Sequence, residues 1–323
     1  MRTRQTRRGW RIAAAVSSLA LLAAACGVDE VDDADPIDDP VDEPVEEEPD
    51  DGDEATEDDE EAAGDADGLL GELQAAGSAT IGIANEVPYA FEDEDGNVTG
   101  QAPEIAYLVL EELGITDVDA EIVDFGALIP GLQAGQFDLI SAGMFITPDR
   151  AEQVIFADPD YCVTYAMAVP EGNPMDLTDF DSVTESGATL AVLSGAVDED
   201  YANDAGIPSD QIELFADVNA QYEALIAGRV DAVGGTSLTV VEQTEANPEI
   251  EATEFFLPVD EDGEEVLGCG AFAFDDQEFR DAFNDVLSEL QADGTVLEIT
   301  TGFGFAAEDV ELAETLTVED LAG

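Results

Sequence analysis

Leu132-Gln-Ala-Gly-Gln-Phe-Asp138-Leu-Ile140 and Leu225-Ile-Ala-Gly-Arg-Val-Asp231-Ala-Val233 are two copies of one loose pattern. Each runs from an apolar helix end through a glycine to an aspartate that opens an apolar strand. Glycine suits the left-handed residue that closes a helix, because it has no Cβ to clash there. One such segment is unremarkable, but a pair predicts two similar lobes. Outward from the first copy, the pattern predicts a strand at 79–84 and a helix at 102–113. In that helix Ile105, Leu108, Val109 and Leu113 recur at helical spacing. A strand at 120–123, a helix at 127–134 and a strand at 137–142 follow. The second copy brings a strand at 189–192, a helix at 219–228 and a strand at 232–234. The chain ends with a strand at 271–274 and a helix at 277–292, whose Phe279, Phe283, Val286, Leu287 and Leu290 share one face. Strands alternating with helices predict an α/β fold.

Composition narrows the function. The 323 residues carry 79 acidic side chains against 8 basic ones, with no lysine and no histidine, for a formal net charge of −71. Five of the eight arginines lie in the first eleven residues, which leaves Arg150, Arg229 and Arg280. Nucleic acid is excluded as an expected partner, because phosphate binding needs a positive patch. Such a body repels itself unless salt shortens the Debye length, to about 3 Å at 1 M. Salt adaptation is therefore expected.

The N-terminus has a basic start, an apolar run and small residues before Cys26. That is the grammar of an export signal over 1–25, and its Leu-Ala-Ala-Ala-Cys end resembles a bacterial lipobox in which Cys26 is lipidated. The alternative is a single membrane anchor, but the apolar run 12–25 falls short of the ~20 residues a spanning helix needs. Residues 26–67 read as an acidic linker: 27–67 hold 23 of the acidic side chains and no aromatic residue. Such a segment cannot bury enough surface to fold, and it spans at least ~35 Å as a self-repelling tether. Cys162 and Cys269 are the two remaining cysteines. In an exported protein they are either a disulfide or two buried free thiols.

Three segments carry a family resemblance: the first repeat copy, Gly143-Met-Phe-Ile-Thr-Pro-Asp-Arg150, and Val154-Ile-Phe-Ala-Asp-Pro-Asp-Tyr161. They resemble the extracellular solute-binding proteins of polar amino acid ABC importers, over essentially all of 70–310. The resemblance implies the type II periplasmic-binding fold, two α/β lobes joined by two crossings with ligand held between them. It places lobe 1 at 68–162 and 268–323 and lobe 2 at 163–267. It also implies permease subunits as partners, a monomer, and the outer face of the cell membrane as location, with membrane contact through the lipid anchor alone.

Within that family, Gly82-Ile-Ala-Asn-Glu86-Val-Pro-Tyr89, Asp124-Phe-Gly-Ala-Leu-Ile-Pro-Gly131, the segment ending at Arg150, and Gly228-Arg-Val-Asp-Ala-Val-Gly-Gly-Thr236-Ser-Leu-Thr239 are most similar to the ectoine/hydroxyectoine-binding proteins. By that resemblance Tyr89, Phe125 and Phe145 form an aromatic box, and Glu86 and Arg150 meet the ligand's polar ends. The chemistry agrees. Ectoine is a cyclic amidine with a carboxylate, a zwitterion whose cation is delocalised. A guanidinium matches a carboxylate with two parallel bonds, aromatic faces suit the cation, and Glu86 accepts its N–H groups. Each side chain taken singly also has a plain structural reading, the two phenylalanines as core and Arg150 as a surface ion pair like Arg229 and Arg280.

Two departures from the amino-acid binders bear on specificity. Thr236 stands where those relatives usually place an aspartate for the α-ammonium group. Leu193-Ser-Gly-Ala196 stands where many have Ser-Gly-Thr, so only backbone N–H groups near Gly195 and Ala196 remain for the carboxylate. Glycine betaine or proline is the alternative ligand class. An enzyme on the same fold is a further alternative, but without histidine or lysine its acid–base chemistry would fall mainly to carboxylates, and no catalytic residue, cofactor or metal is expected. A sensory module is disfavoured because no signalling region follows residue 323.

Overall fold

A computed structural model of the protein describes residues 68–260 and 263–323. The leader, Cys26 and the acidic run 27–67 lie outside the described residues. The strands are β1 Ser78–Ile83, β2 Phe91–Glu92, β3 Val98–Thr99, β4 Asp117–Ile122, β5 Leu139–Phe145, β6 Ile155–Phe156 and β7 Tyr161–Val163, then β8 Tyr165–Pro170, β9 Leu190–Leu193, β10 Ile212–Phe215, β11 Ala232–Thr236, β12 Ile250–Ala252 and β13 Gly268–Phe274. The helices are α1 Leu69–Ala76, α2 Gln101–Glu112, α3 Leu128–Gln133, α4 Pro148–Ala151, α5 Phe180–Ser186, α6 Val197–Asp204, α7 Val218–Ile226, α8 Ser237–Ala246, α9 Gln277–Ala292, α10 Thr295–Gly302, α11 Ala307–Ala313 and α12 Val318–Ala322.

Two main sheets give the two-lobed α/β architecture. The first has the order β4-β1-β5-β13-β6, with β7 also on β13; the second has the order β10-β9-β11-β8-β12. In each, three parallel strands are followed by one antiparallel neighbour, β13 on β5 and β8 on β11. The chain leaves the first sheet at β7 and enters the second at β8 with only Thr164 between, and returns through β12 to β13.

The repeat explains this likeness. Gly135 and Gly228 both adopt the left-handed conformation, φ 67° and 66°, just past α3 and α7. Asp138 then exchanges two hydrogen bonds with Thr80 of β1: its N–H donates to the Thr80 carbonyl at 2.8 Å, and its Oδ2 accepts from the Thr80 N–H at 2.7 Å. Asp231 does the same with Thr189 beside β9, both bonds at 2.9 Å. Each aspartate thus ties the incoming strand to its parallel neighbour, β5 to β1 and β11 to β9, and sets their relative height.

Burial follows the helical pattern. α9 is the predicted helix without change, opened by Asp276, whose Oδ1 accepts from the Phe279 N–H at 2.8 Å. Its Phe283 lies 4.8 Å from Phe272 and 5.1 Å from Phe274 on β13, ring centre to ring centre. Stripping such a ring to alanine costs about 3–5 kcal/mol. Elsewhere the boundaries differ. β5 starts two residues later than the predicted 137–142 and continues to Phe145, because Gly143 takes φ 64° and carries the strand past an irregularity opposite 271–273. A 3-10 turn, Phe125–Ala127, precedes α3 in place of the start of the predicted helix. The strands β2, β3, β6 to β8, β10 and β12, and the helices α1, α4 to α6, α8 and α10 to α12, were not anticipated, since their apolar residues are too few or too continuous to show a period.

Cys162 and Cys269, directly opposite in the β7–β13 pairing, are joined by a disulfide. It links the first crossing between the lobes to the strand on which the chain returns. Among the described residues no helix is long and apolar enough to cross a membrane.

Candidate ligand-binding site

The two sheets point the ends of their parallel strands at one cleft, where α/β lobes present ligands. Seven of the eight residues singled out by sequence line or close it. Glu86 and Tyr89 follow β1, Phe125 follows β4, Phe145 ends β5, and Arg150 lies on α4, one turn beyond. Ala196 and Thr236 approach from the ends of β9 and β11. The space they enclose, about 40 Å3, is roughly three times what one water requires. That suits a compact solute.

Arg150 is the cation of the site. It is 7% exposed, and burial lowers the affinity of its guanidinium for its proton. Thr147 starts α4 with a side-chain cap, its Oγ1 accepting from the Arg150 N–H at 3.3 Å, which aims the arginine inward. Nη1 donates to the Phe145 carbonyl at 2.9 Å and Nη2 to the Gly195 carbonyl at 3.2 Å. The guanidinium lies 5.4 Å from the Phe125 ring centre. No carboxylate comes within ion-pair distance among the described residues, where the ion pair is Arg280 with Asp281 at 2.8 Å. A guanidinium has five N–H donors, so the bonds to the two carbonyls use only part of this one's capacity. The sequence expectation that Arg229 pairs with an acid does not hold within the described residues; it is exposed, 5.9 Å from the Phe215 ring centre.

Two carboxylates also line the cleft, Glu86 and Asp198. Burial pushes Glu86 up to about 7, against the bond it accepts from Thr239, and Asp198 raises it further. Burial also pushes Asp198 up to about 6, opposed by the bond from the Tyr165 hydroxyl and by Arg150. Asp198 was not foreseen: it sits in Val197-Asp-Glu-Asp200, and in so acidic a chain nothing marks one acid over its neighbours. Its presence also changes the weight of Thr236. The lack of an acid at 236 does not leave the cleft with a single carboxylate.

Thr236 itself is engaged in closing the cleft. Its hydroxyl accepts from Tyr89 at 2.8 Å and from the Thr239 N–H at 3.4 Å, and donates to Thr239 Oγ1 at 3.2 Å. That uses both lone pairs and the proton, so Thr236 has nothing left for a ligand. Thr239 in turn donates to Glu86 Oε1 at 2.7 Å. Tyr89 and Glu86 belong to the first sheet's side and the threonines to the second's. Together with Arg150 on Gly195, these bonds hold the lobes against each other.

Ala196 narrows the sequence expectation for the backbone N–H groups near Gly195 and Ala196. Gly195 presents its carbonyl to Arg150, and the Ala196 N–H donates to the Leu193 carbonyl at 3.1 Å, so it is not free for a carboxylate. Gly195 is required for packing. It takes φ 76°, and a Cβ there would fall 2.6 Å from Cα of Gly126 on the facing lobe.

The aromatic wall is larger than the predicted trio. Phe125 is covered on one side by Arg150, while Tyr165 joins Phe145 at 6.4 Å between ring centres. Tyr89 is backed by Tyr161 at 5.4 Å and by Phe305 at 5.6 Å. Tyr165, Gln221, Tyr222 and Thr239 line the cleft and were missed. For Thr239 a signal existed, since Thr236 caps α8 and the third residue after a cap faces back toward it. Among the described residues no group of histidine, cysteine or carboxylate side chains is placed to hold a metal.

Residues 79–305 match the family model of bacterial extracellular solute-binding proteins, family 3. A probable amino-acid ABC transporter periplasmic-binding protein of Sinorhizobium fredii (strain NBRC 101917 / NGR234) is 34% identical over 257 residues, covering 78% of this chain and 85% of that protein. The lysine/arginine/ornithine-binding periplasmic protein of Escherichia coli (strain K12) is 31% identical over 187 residues, covering 53% and 66%. Among solved structures, EhuB in complex with hydroxyectoine is similar at TM-score 0.72 and 34% identity, covering 79% of this chain and 98% of that one. An ancestral arginine-binding protein bound to glutamine is similar at TM-score 0.62 and 27% identity, covering 70% and 97%. On the match over 79–305, with a two-lobed fold closed around a solute-sized cleft, the chain belongs to the bacterial extracellular solute-binding proteins of family 3.

Proposed function

We propose that the protein captures ectoine or hydroxyectoine between its lobes and delivers it to the permease of an ABC importer. As a member of a solute-binding family it releases its ligand unchanged and is not an enzyme. The observation that carries the reading is Arg150, a buried guanidinium with no carboxylate at ion-pair distance among the described residues of a strongly acidic protein. An anion supplied by the ligand completes it. The ligand's cation then faces Glu86, Asp198 and the rings of Tyr89, Phe145 and Tyr165, a wall suited to a flat delocalised charge. The likeness to EhuB, whose structure holds hydroxyectoine, supports the same reading. Lipidation at Cys26 and the acidic run 27–67 as a tether to the membrane's outer face complete the proposal.

Calorimetry with ectoine, hydroxyectoine, glycine betaine, proline, glutamine, lysine and arginine tests it. Ectoine or hydroxyectoine is expected to bind tightest. Tighter binding of any amino acid overturns the assignment.

A further inference from the structure

α7 places Val218, Gln221 and Tyr222 on the cleft at i, i+3 and i+4. Gln221 is 2% exposed and Tyr222 3%. Gln221 Nε2 and the Tyr222 hydroxyl have no hydrogen-bond partner among the described residues. The hydroxyl points at the glycine-lined part of the wall, 4.0 Å from where a Cβ of Gly235 would lie, and faces the charges of Glu86 and Asp198. Buried donors are almost always satisfied, and one left open on the wall of a solute cleft is completed by solute or water.

We propose that Gln221 and Tyr222 form a subsite for a hydroxyl group on the ligand, so that this protein selects the hydroxylated zwitterion over its parent. This rests on the functional reading above. A hydroxyl both donates and accepts, and the subsite offers both complements. Gln221 Nε2 and the Tyr222 hydroxyl donate, while Glu86 and Asp198 accept. Ectoine has no such group: its acceptors are the carboxylate oxygens, which Arg150 claims, and its N–H groups meet the two acids. With ectoine bound, the α7 donors stay unmet; with hydroxyectoine they are completed. A site built to bond a hydroxyl penalises the analogue that lacks it, because its own buried polar groups are left unpaired.

The test is calorimetry of wild type, Tyr222→Phe and Gln221→Met with hydroxyectoine and ectoine, each variant checked by thermal melting. Wild type is expected to bind hydroxyectoine about tenfold more tightly than ectoine. Tyr222→Phe is expected to bring that ratio to within about twofold of unity by weakening hydroxyectoine alone, with Gln221→Met moving it the same way. An unchanged ratio in both variants overturns the subsite. So does an equal loss for both ligands, which would place the donors on the carboxylate. Absence of binding for either ligand in wild type overturns the functional reading itself, and the subsite with it.

Discussion

Replacing Arg150 by methionine separates binding from folding. Methionine fills much of the same channel but carries no charge and no donor. In the unliganded protein the change removes the bonds to the carbonyls of Phe145 and Gly195, worth about 0.5–1.5 kcal/mol each. It also removes a buried cation that no acid pairs within 4.0 Å among the described residues, and that relief runs the other way. Net stability should therefore change by no more than about 2 kcal/mol. Ligand binding loses two charge-assisted bonds of about 1.5–3 kcal/mol each, on the order of 10²–10⁴-fold in affinity. Arg150→Lys keeps the charge without the fork and should fall between. Calorimetry gives the affinities and a thermal melt confirms the fold. An Arg150→Met protein that melts normally and binds within about threefold of wild type would refute the role assigned to Arg150.

Three further predictions follow from the geometry. Glu86 is raised from 4.5 to about 7 and Asp198 from 3.8 to about 6; the folded protein holds protons that the unfolded chain releases, so unliganded stability present below about pH 4 falls as pH climbs through 6 and 7. A cationic ligand favours the ionised acids, so affinity should rise over the same window with proton release, visible in calorimetry as dependence on buffer ionisation enthalpy; flat affinity from pH 5 to 8 contradicts it. Reducing the disulfide, which spans 107 residues, should cost about 2–5 kcal/mol, on the order of 5–15 °C in melting temperature for a body of this size; an unchanged melt with both thiols chemically labelled would contradict it. Gly195→Ala should weaken binding about tenfold or more and lower the melt by a few degrees, about 1–2 kcal/mol, because the added Cβ, 2.6 Å from Gly126, obstructs closure and disfavours φ 76°; wild-type affinity would show that the lobes close without this contact.

The parts of the fold written in local pattern were legible. The helix 277–292 showed its buried face at helical spacing, and the two Gly-to-Asp segments announced two lobes before any strand was placed. What stayed hidden depends on tertiary contact. Tyr165 lies in an apolar run with no period, and Asp198 is one acid among dozens. Gln221 and Tyr222 follow an ordinary amphipathic pattern, and only the facing lobe turns that buried stripe into a cleft wall. Thr236 shows the converse. Its place in the sequence suggested a ligand contact, but its hydroxyl is saturated by Tyr89 and Thr239, a pairing across 147 residues that no local spacing reveals.

The central claim is that a zwitterion lies between the lobes with its carboxylate on Arg150, and a crystal structure of the protein with hydroxyectoine tests it most directly. The predicted result is two ligand carboxylate oxygens about 2.7–2.9 Å from guanidinium nitrogens of Arg150, with the ring against Tyr89, Phe145 and Tyr165. A ligand whose carboxylate lies elsewhere in the cleft, with Arg150 contacting only the Phe145 and Gly195 carbonyls, would contradict it.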